Sequence, residues 1–483
     1  LTAGRREPSV STLPGASAIV SRQRHAPLRV LLLCVASLTA QSLLVGCATI
    51  PESPVPEHPS PRLQWSNAHG PLSRQQIAAV YQHLSLEVPN PDALRRHLAI
   101  EQAIASSPLY TGNAVHLLSD GAETFPAMFA AIRGAQHSIL LEYYIFDNVS
   151  SDGQQLLDLL RSKRAEGVNI AVLYDNIGSV STDDAFIASL RDAGVQLLVF
   201  NPVNPLKAHR RWSLNDRDHR KLLIVDQSLA FLGGINLSKD YESSPSAFSR
   251  GSGTANWRDT DIKLSGPAVA ELEQLFYRNW HSQGGPHLPS EDEPSTAQSV
   301  GNQVVHIIDS TPDSPTPRYY ATVLSAIDTA EHSVWITAAY FVPTHEERRL
   351  LKATARRGVD VRLLLPSQSD SNAVLAVQHA AYEDLLEAGV KVYEREGVIL
   401  HSKSVVIDQV WSVVGSSNFD HRSVLFNDEV DAVVIGQETA LALENLFKSD
   451  LRDARAIDLA TWKRRSLSKR ASETFWRLWT TMM

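Results

Sequence analysis

Apolar positions along this chain fall into short runs separated by helical patterns, and the order of the runs occurs twice. In the first stretch, Ala131-Ile132-Arg133-Gly134-Ala135-Gln136-His137-Ser138-Ile139-Leu140 reads as a helix end passing into a strand. That strand continues through Glu142-Tyr143-Tyr144-Ile145-Phe146. Leu156, Leu157, Leu159 and Leu160 recur at helical spacing, 167–175 reads as a second strand, and 195–200 follows a helix as a third. The second stretch repeats this order. Ser325-Ala326-Ile327-Asp328-Thr329-Ala330-Glu331-His332-Ser333-Val334-Trp335-Ile336 matches the first helix-to-strand passage. Residues 357–365 match the second strand and 387–393 the third. Strands alternating with helices predict two α/β units, each a largely parallel sheet flanked by helices. Two similar units can face each other across a pseudo-two-fold axis, bringing matched positions together.

The pattern also sets boundaries. Units are expected at 76–280 and 303–450, joined by a linker at 281–302 that holds Gly284, Gly285, Pro286, Pro289 and Pro294. The offset between matched positions falls from 195 (Ile132 to Ile327) to 182 (His219 to His401), so the first unit carries an insertion, placed at 201–214. Its Lys207, His209, Arg210, Arg211 and Trp212 suit lipid headgroups, the alternative being a solvated loop. A tail at 451–483 carries Trp462, Lys463, Arg464, Arg465, Lys469, Arg470, Phe475, Trp476, Arg477 and Trp479. It reads as a helix lying at a bilayer surface or one packed on the body.

At 483 residues the chain is too long for one ordinary core. The formal net charge is −8, although residues 1–46 carry Arg5, Arg6, Arg22, Arg24 and Arg29 against Glu7 alone. An acidic body argues against a protein that tracks along nucleic acid. Cys34 and Cys47 are the only cysteines, so the body has no disulfide framework. Arg22, Arg24 and Arg29 precede a short apolar run from Val30 that is diluted by Thr39, Gln41 and Ser42 before Leu44-Val45-Gly46-Cys47. This pattern predicts a secretory signal over 1–47; an uncleaved anchor is the alternative, though the run is short and interrupted for a full span. Gly46-Cys47 resembles a bacterial lipobox, which implies a lipidated Cys47 and a membrane tether on the exported side. Ala48 favours sorting to the outer membrane. A Pro/Ser-rich spacer is expected over 48–75.

The candidate chemistry also comes in two copies. His219-Arg220-Lys221 is followed by Asp226 and by Gly233-Gly234-Ile235-Asn236; His401-Ser402-Lys403 is followed by Asp408 and by Gly415-Ser416-Ser417-Asn418. Each asparagine lies 17 residues after its histidine. On a strand, residues two apart share a face, so each His-Lys pair projects together. The aspartates, at odd spacing, point away, which makes Asp226 and Asp408 braces of the catalytic set more than contacts to substrate. Two lysines and two imidazoles suit a phosphodiester. The lysines neutralise its non-bridging oxygens, one imidazole attacks phosphorus and the other protonates the leaving alcohol. Asn236 and Asn418 are placed to donate to the same oxygens. Asp259 and Glu429, at matching places in the two units, are candidates to orient the imidazoles. No cofactor is called for, and neither motif has a second histidine or cysteine at ligand spacing, which disfavours a metal there.

The paired His-x-Lys-x4-Asp motifs resemble those of the phospholipase D superfamily over about 115 to 450. The closest likeness is to bacterial cardiolipin synthases, through Tyr143-Tyr144-Ile145-Phe146, Ala339-Tyr340-Phe341-Val342-Pro343, Arg357-Gly358-Val359-Asp360-Val361 and the stretch from His401 through Asn418-Phe419-Asp420-His421-Arg422-Ser423 to Glu429. The resemblance implies one active site between the units, no metal, and a phosphatidyl-histidine intermediate resolved by an acceptor alcohol such as phosphatidylglycerol. It implies His219 as nucleophile and His401 as general acid and then base; the residues themselves leave the order open. Those synthases typically carry transmembrane helices, and the lipoprotein-like leader departs from that pattern. A phospholipase D hydrolase releasing phosphatidic acid would use the same residues. A nuclease is disfavoured by the acidic body, and an idle scaffold by two intact motifs.

Overall fold

The computed structural model describes residues 64–466 except 105–106, 205–212, 214, 243–255, 294–295 and 315–316, together with 470, 473, 475 and 476. The signal segment with Cys47, most of the spacer, and Lys207, His209, Arg210, Arg211 and Trp212 lie outside the described residues, as do Lys469, Arg477 and Trp479.

Two helices precede the repeats: α1 (Arg74–Glu87), opened by a Ser73–Gln76 capping box, and α2 (Pro91–Ile104). The first repeat follows as β1 (Leu109–Ser119), α3 (Asp120–Gly134), β2 (Ser138–Tyr143), α4 (Leu156–Ala165), β3 (Asn169–Asp175), α5 (Asp184–Asp192), β4 (Gln196–Phe200), β5 (Lys221–Val225), β6 (Leu229–Gly233), β7 (Thr260–Ser265) and α6 (Val269–Ser282). The second gives β8 (Gln303–Ser310), α7 (Arg318–Thr329), β9 (Ser333–Thr337), α8 (His345–Arg356), β10 (Asp360–Pro366), α9 (Asn372–Ala380), α10 (Tyr382–Glu387), β11 (Lys391–Arg395), β12 (Ser404–Ile407), β13 (Trp411–Gly415), α11 (His421–Leu425), β14 (Asn427–Ile435) and α12 (Gln437–Asp450).

Both sheets have the same order. In the first, β4, β3 and β2 run parallel, and β5, β6, β7 and β1 continue antiparallel from β2. In the second, β11, β10 and β9 run parallel, followed by antiparallel β12, β13, β14 and β8. The outer half of each mixed sheet is therefore the βαβ part that the alternating pattern predicts. The inner half is built from hairpin-like returns carrying the motifs. Edge strands β1 and β8 pair antiparallel, joining the sheets through an irregular register between Gln303 and Val305.

The central strands are buried on both faces, so they read as continuous apolar runs. Leu222 and Ile224 of β5 enter a core shared with Val414, Val430 and Ala432 of the second repeat. Leu223 and Val225 face the opposite way, onto Phe125 and Phe129 of α3.

Two boundaries differ from expectation. Trp65 and Ser66, grouped with the spacer by composition, pair parallel with Leu109 and Tyr110 of β1, so the body begins before residue 76. Helix α2, grouped with the first unit, docks on the second. Glu101 there binds Trp411 Nε1 at 2.8 Å and His306 Nδ1 at 2.6 Å, and Arg96 pairs with Glu331 at 2.6 Å. Sequence order placed α2 with the nearest repeat; its buried polar face selects the other. Early in the tail, Trp462 packs on Tyr382 and His379, and Lys463 pairs with Glu387 at 2.5 Å, so this part lies on the body. Among the described residues, no helix is long and apolar enough to cross a membrane.

Candidate active site

Neither motif histidine sits on the regular strand of its motif. Strand β5 begins at Lys221, and β12 begins only after Lys403. Each histidine lies instead on a short stretch that pairs with the other repeat. Arg217 and Asp218 run parallel to Asn427 and Asp428, and His219 N–H donates to Asp428 O at 2.9 Å. Trp257 and Arg258 run parallel to Ile399 and Leu400, and His401 N–H donates to Arg258 O at 2.7 Å.

This crossing decides which carboxylate meets which imidazole. Glu429, following Asp428, reaches His219 Nδ1 at 3.0 Å, and Asp259, following Arg258, reaches His401 Nδ1 at 2.7 Å. The orienting residues expected from sequence are thus at the histidines, each serving the motif of the opposite repeat. A carboxylate at Nδ1 holds the proton there and leaves the Nε2 lone pair free.

The two pairs are unequal. Glu429 also accepts from Ser416 Oγ at 2.6 Å, Ser423 Oγ at 2.7 Å and Asn427 Nδ2 at 3.2 Å. Burial alone would raise its pKa, but His219, Lys221 and Ser416 outweigh it and hold the carboxyl down at about 2. Asp259 lies opposite Gly234, which occupies the place of Ser416 in the first repeat. A Cβ on Gly234 would come within 2.1 Å of Asp259 Oδ1. With fewer donors, burial dominates and pushes Asp259 up to about 6. Tyr241 takes the place of Ser423, with its hydroxyl 3.0 Å from His401 Nδ1.

Burial also favours the neutral imidazoles. It lowers His219 to about 4 despite Glu429, and it lowers His401 further, with Lys403 and Lys221 adding repulsion. The lysines come down for the same reason, Lys221 to about 7 and Lys403 to about 8. Lys221 Nζ donates to His219 O at 2.5 Å and faces the Tyr144 ring; Lys403 Nζ lies 2.9 Å from His401 Nδ1.

Both histidines open onto one cavity of about 410 Å³, also lined by Asn236, Asn418, Tyr144, Tyr340, Trp257, Asp370, Asp420, Arg217 and Arg422. Asn236 Oδ1 accepts from Ile145 N–H at 3.2 Å. Asn418 Oδ1 is buried with no hydrogen-bond partner among the described residues. Tyr144 sets its edge toward His219 and Tyr340 toward His401, at centroid distances of 5.3 and 5.9 Å. The repeat offset of 195 sets Tyr340 against Ile145 and Tyr144 against Ala339, so the two tyrosines are one residue out of register and the repeat does not mark them as a pair. Tyr241 and Ser423 differ in type, and nothing in the pattern marks them.

Asp226 and Asp408, grouped with the catalytic residues, are not in the cavity. Each follows the far end of its strand in a left-handed turn (φ 49° and 52°). Asp226 accepts from the N–H groups of Gln136, His137 and Ser138; Asp408 accepts from those of Glu331, His332 and Ser333. They fasten the starts of β2 and β9, because the strand ends one residue before each carboxylate and turns it back onto those N–H groups.

A duplicated mixed sheet with two imidazole–carboxylate pairs opening onto one cavity, and a buried lysine beside each histidine, is the arrangement of a phospholipase D-like enzyme. A family model described as "Cardiolipin synthase, PLD-like domain" matches residues 128–246 and 323–451. The chain is 34% identical over 378 residues to the cardiolipin synthase of Alkalihalophilus pseudofirmus, covering 78% of this chain and 73% of that protein. It is 34% identical over 409 residues to the cardiolipin synthase of Geobacillus thermodenitrificans, covering 82% and 79%. Among solved structures, the phosphatidylserine synthase of Haemophilus influenzae Rd KW20 superposes with a TM-score of 0.59 at 13% identity, over 80% of this chain and 100% of that one, a likeness of fold. The chain belongs to the cardiolipin synthase family and is a phospholipase D superfamily enzyme of the transphosphatidylase type.

Proposed function

We propose that this enzyme moves a phosphatidyl group from one phosphatidylglycerol to the glycerol hydroxyl of another, through a phosphohistidine at His219. The observation that carries this reading is the crossed pair of dyads, His219–Glu429 and His401–Asp259, opening onto one cavity. Glu429 is fully ionised and keeps the proton of His219 on Nδ1, so Nε2 is free to attack phosphorus. The bond from phosphorus to the glycerol oxygen breaks, and His401 gives that oxygen its proton. The incoming phosphodiester anion raises His401, which burial otherwise keeps neutral, into the range where it carries this proton. In the second half, His401 takes the acceptor's hydroxyl proton, the acceptor oxygen attacks phosphorus and the bond to Nε2 breaks. In this reading the buried cations of Lys221 and Lys403, beside the two histidines, offset the charge that gathers on the non-bridging oxygens, and the Asn236 and Asn418 amides supply hydrogen bonds to them.

Expression in a host lacking cardiolipin, followed by lipid mass spectrometry, tests the reading. Cardiolipin with the native chain and none with His219→Ala or His401→Ala supports it. Phosphatidic acid as the sole product, even with added glycerol or phosphatidylglycerol, would make the enzyme a hydrolase.

We also propose that the chain is exported and held at a membrane through a lipidated Cys47, with outer-membrane sorting favoured. The basic flank, apolar run and Gly46-Cys47 pair support this. Loss of membrane association and of acyl label in Cys47→Ser, with folding retained, is the expected result.

A further inference from the structure

Away from the active site, the segment joining the repeats folds back on the helix it leaves. The chain passes from the end of α6 through Gly284-Gly285 into a 3-10 turn, Pro289–Asp292. Trp280 Nε1 donates to Pro286 O at 2.8 Å, and Gly285 packs so closely that a Cβ there would lie 2.3 Å from Nε1. The Tyr277 hydroxyl is 2.9 Å from Ser290 Oγ, and Gln227 Nε2 donates to Ser290 O at 2.9 Å. The turn is therefore fixed on the first repeat.

Fixing the turn brings His281, His287 and Glu291 together, with one nitrogen or oxygen of each within 4.8 Å of the others. Glu291 Oε2 lies 2.8 Å from His281 Nε2 and 3.4 Å from His287 Nδ1. The opposite ring nitrogens are also engaged. His281 Nδ1 faces Gly285 O at 3.2 Å, and His287 Nε2 faces Asp292 Oδ2 at 3.0 Å. Glu291's other oxygen accepts from Leu288 N–H at 2.6 Å.

A metal-binding imidazole keeps its far N–H on a carbonyl or carboxylate, which sets the tautomer and aims the lone pair. Both histidines have such a partner, one of each kind, and both aim the remaining nitrogen at the same carboxylate oxygen. A simple ion pair accounts for one imidazole on Glu291. It does not require the second imidazole on that oxygen, nor a fixed partner behind each ring.

We propose that His281 Nε2, His287 Nδ1 and Glu291 Oε2 form a binding site for a divalent transition metal of the zinc class, completed by water. Two imidazoles and one carboxylate suit zinc, whereas magnesium and calcium prefer all-oxygen sets. His281 and His287 are 41% and 60% exposed at the side chain, so the ion enters from solvent. Bound there, it ties the end of α6 to the linker that leads into β8. The site is independent of the lipid chemistry and stands or falls apart from it.

Full-length protein stripped with chelator is titrated with zinc chloride by calorimetry, alongside His281→Ala, His287→Ala and Asp292→Asn. One zinc per chain is expected in the native protein. Affinity falls tenfold or more in each histidine variant and by about tenfold in Asp292→Asn, whose carboxylate only orients a ring. Zinc raises the melting temperature of the native chain but not of the doubly substituted His281→Ala/His287→Ala chain, and magnesium chloride has neither effect. His287 is the most exposed of the three, so its variant keeps the fold, as circular dichroism verifies. Failure of the native chain to bind zinc, or unchanged affinity in His287→Ala and His281→Ala, overturns the proposal.

Discussion

Glu429 of the second repeat holds Nδ1 of His219 in the first at 3.0 Å. The reciprocal bond runs from His401 to Asp259 at 2.7 Å. Each imidazole is thus tuned by the half of the chain that does not carry it. Glu429→Gln keeps the shape but offers an amide N–H to Nδ1, which shifts the proton to Nε2 and blocks attack. Phosphatidyl transfer should fall by about 10³-fold or more, in line with tautomer errors in other imidazole–carboxylate pairs. Trapped phosphohistidine should fall with it while the circular dichroism spectrum stays native. Retention of transfer within tenfold of the native rate would contradict the assignment.

Ser416 and Ser423 both donate to Glu429, and Ser423 Oγ also accepts from Asn418 N–H at 3.0 Å. Removing both hydroxyls takes away two donors to Glu429, of which Ser416 helps hold the carboxyl down at about 2. The double variant Ser416→Ala/Ser423→Ala should therefore move the acid limb of the kcat profile toward neutral pH. Above that limb, the rate should lose much less than in Glu429→Gln. An acid limb unmoved in the double variant would mean that Glu429 does not control it.

Asp226 and Asp408 should behave as structural residues. Asp408→Ala leaves three N–H groups at the start of β9 without an acceptor and removes the carboxylate facing buried His97 at 3.8 Å. Stability should drop by about 2–4 kcal/mol, judged from the cost of charged and buried hydrogen bonds. Folded enzyme, counted by active-site titration, should keep a kcat within a few fold of native. A denaturant titration paired with that active-site count separates the two effects.

Buried carboxylates predict how stability depends on pH. Glu347, the capping-box residue of α8, is pushed by burial from 4.5 up to about 7, although it accepts from Thr344 N–H at 2.6 Å. A raised carboxyl binds its proton more readily folded than unfolded, so its contribution is present below about 4.5 and lost as pH rises through 7. Glu347→Gln keeps a cap acceptor without the charge. Its stability should match that of the native chain near pH 4 and exceed it near pH 8 by roughly 3 kcal/mol, read as a higher melting temperature there. Equal pH dependence of the two melting curves would rule this out.

The repeated motifs, the matched asparagines and the two orienting carboxylates could all be read from spacing, because spacing within one repeat carries over to its copy. The pairing of Glu429 with His219 could not. It depends on two-residue ladders, Arg217–Asp218 with Asn427–Asp428 and Trp257–Arg258 with Ile399–Leu400, too short to leave any periodicity. Strand parity turned Asp226 and Asp408 away from substrate, yet their target, a set of N–H groups almost ninety residues upstream in one case, has no signature in the chain. The contrast of Gly234 with Ser416 was visible as Gly-Gly-Ile-Asn against Gly-Ser-Ser-Asn. Its meaning, room for Asp259 against a donor for Glu429, needed coordinates.

Edge strands β1 and β8 are hydrogen-bonded to each other, and the cross-repeat ladders lie at the histidines themselves. The two halves consequently have no hinge between them. Swinging them apart would break backbone bonds in the sheet and dismantle both dyads in the same movement. A lipid headgroup must then reach the cavity with the two sheets still joined and both dyads intact.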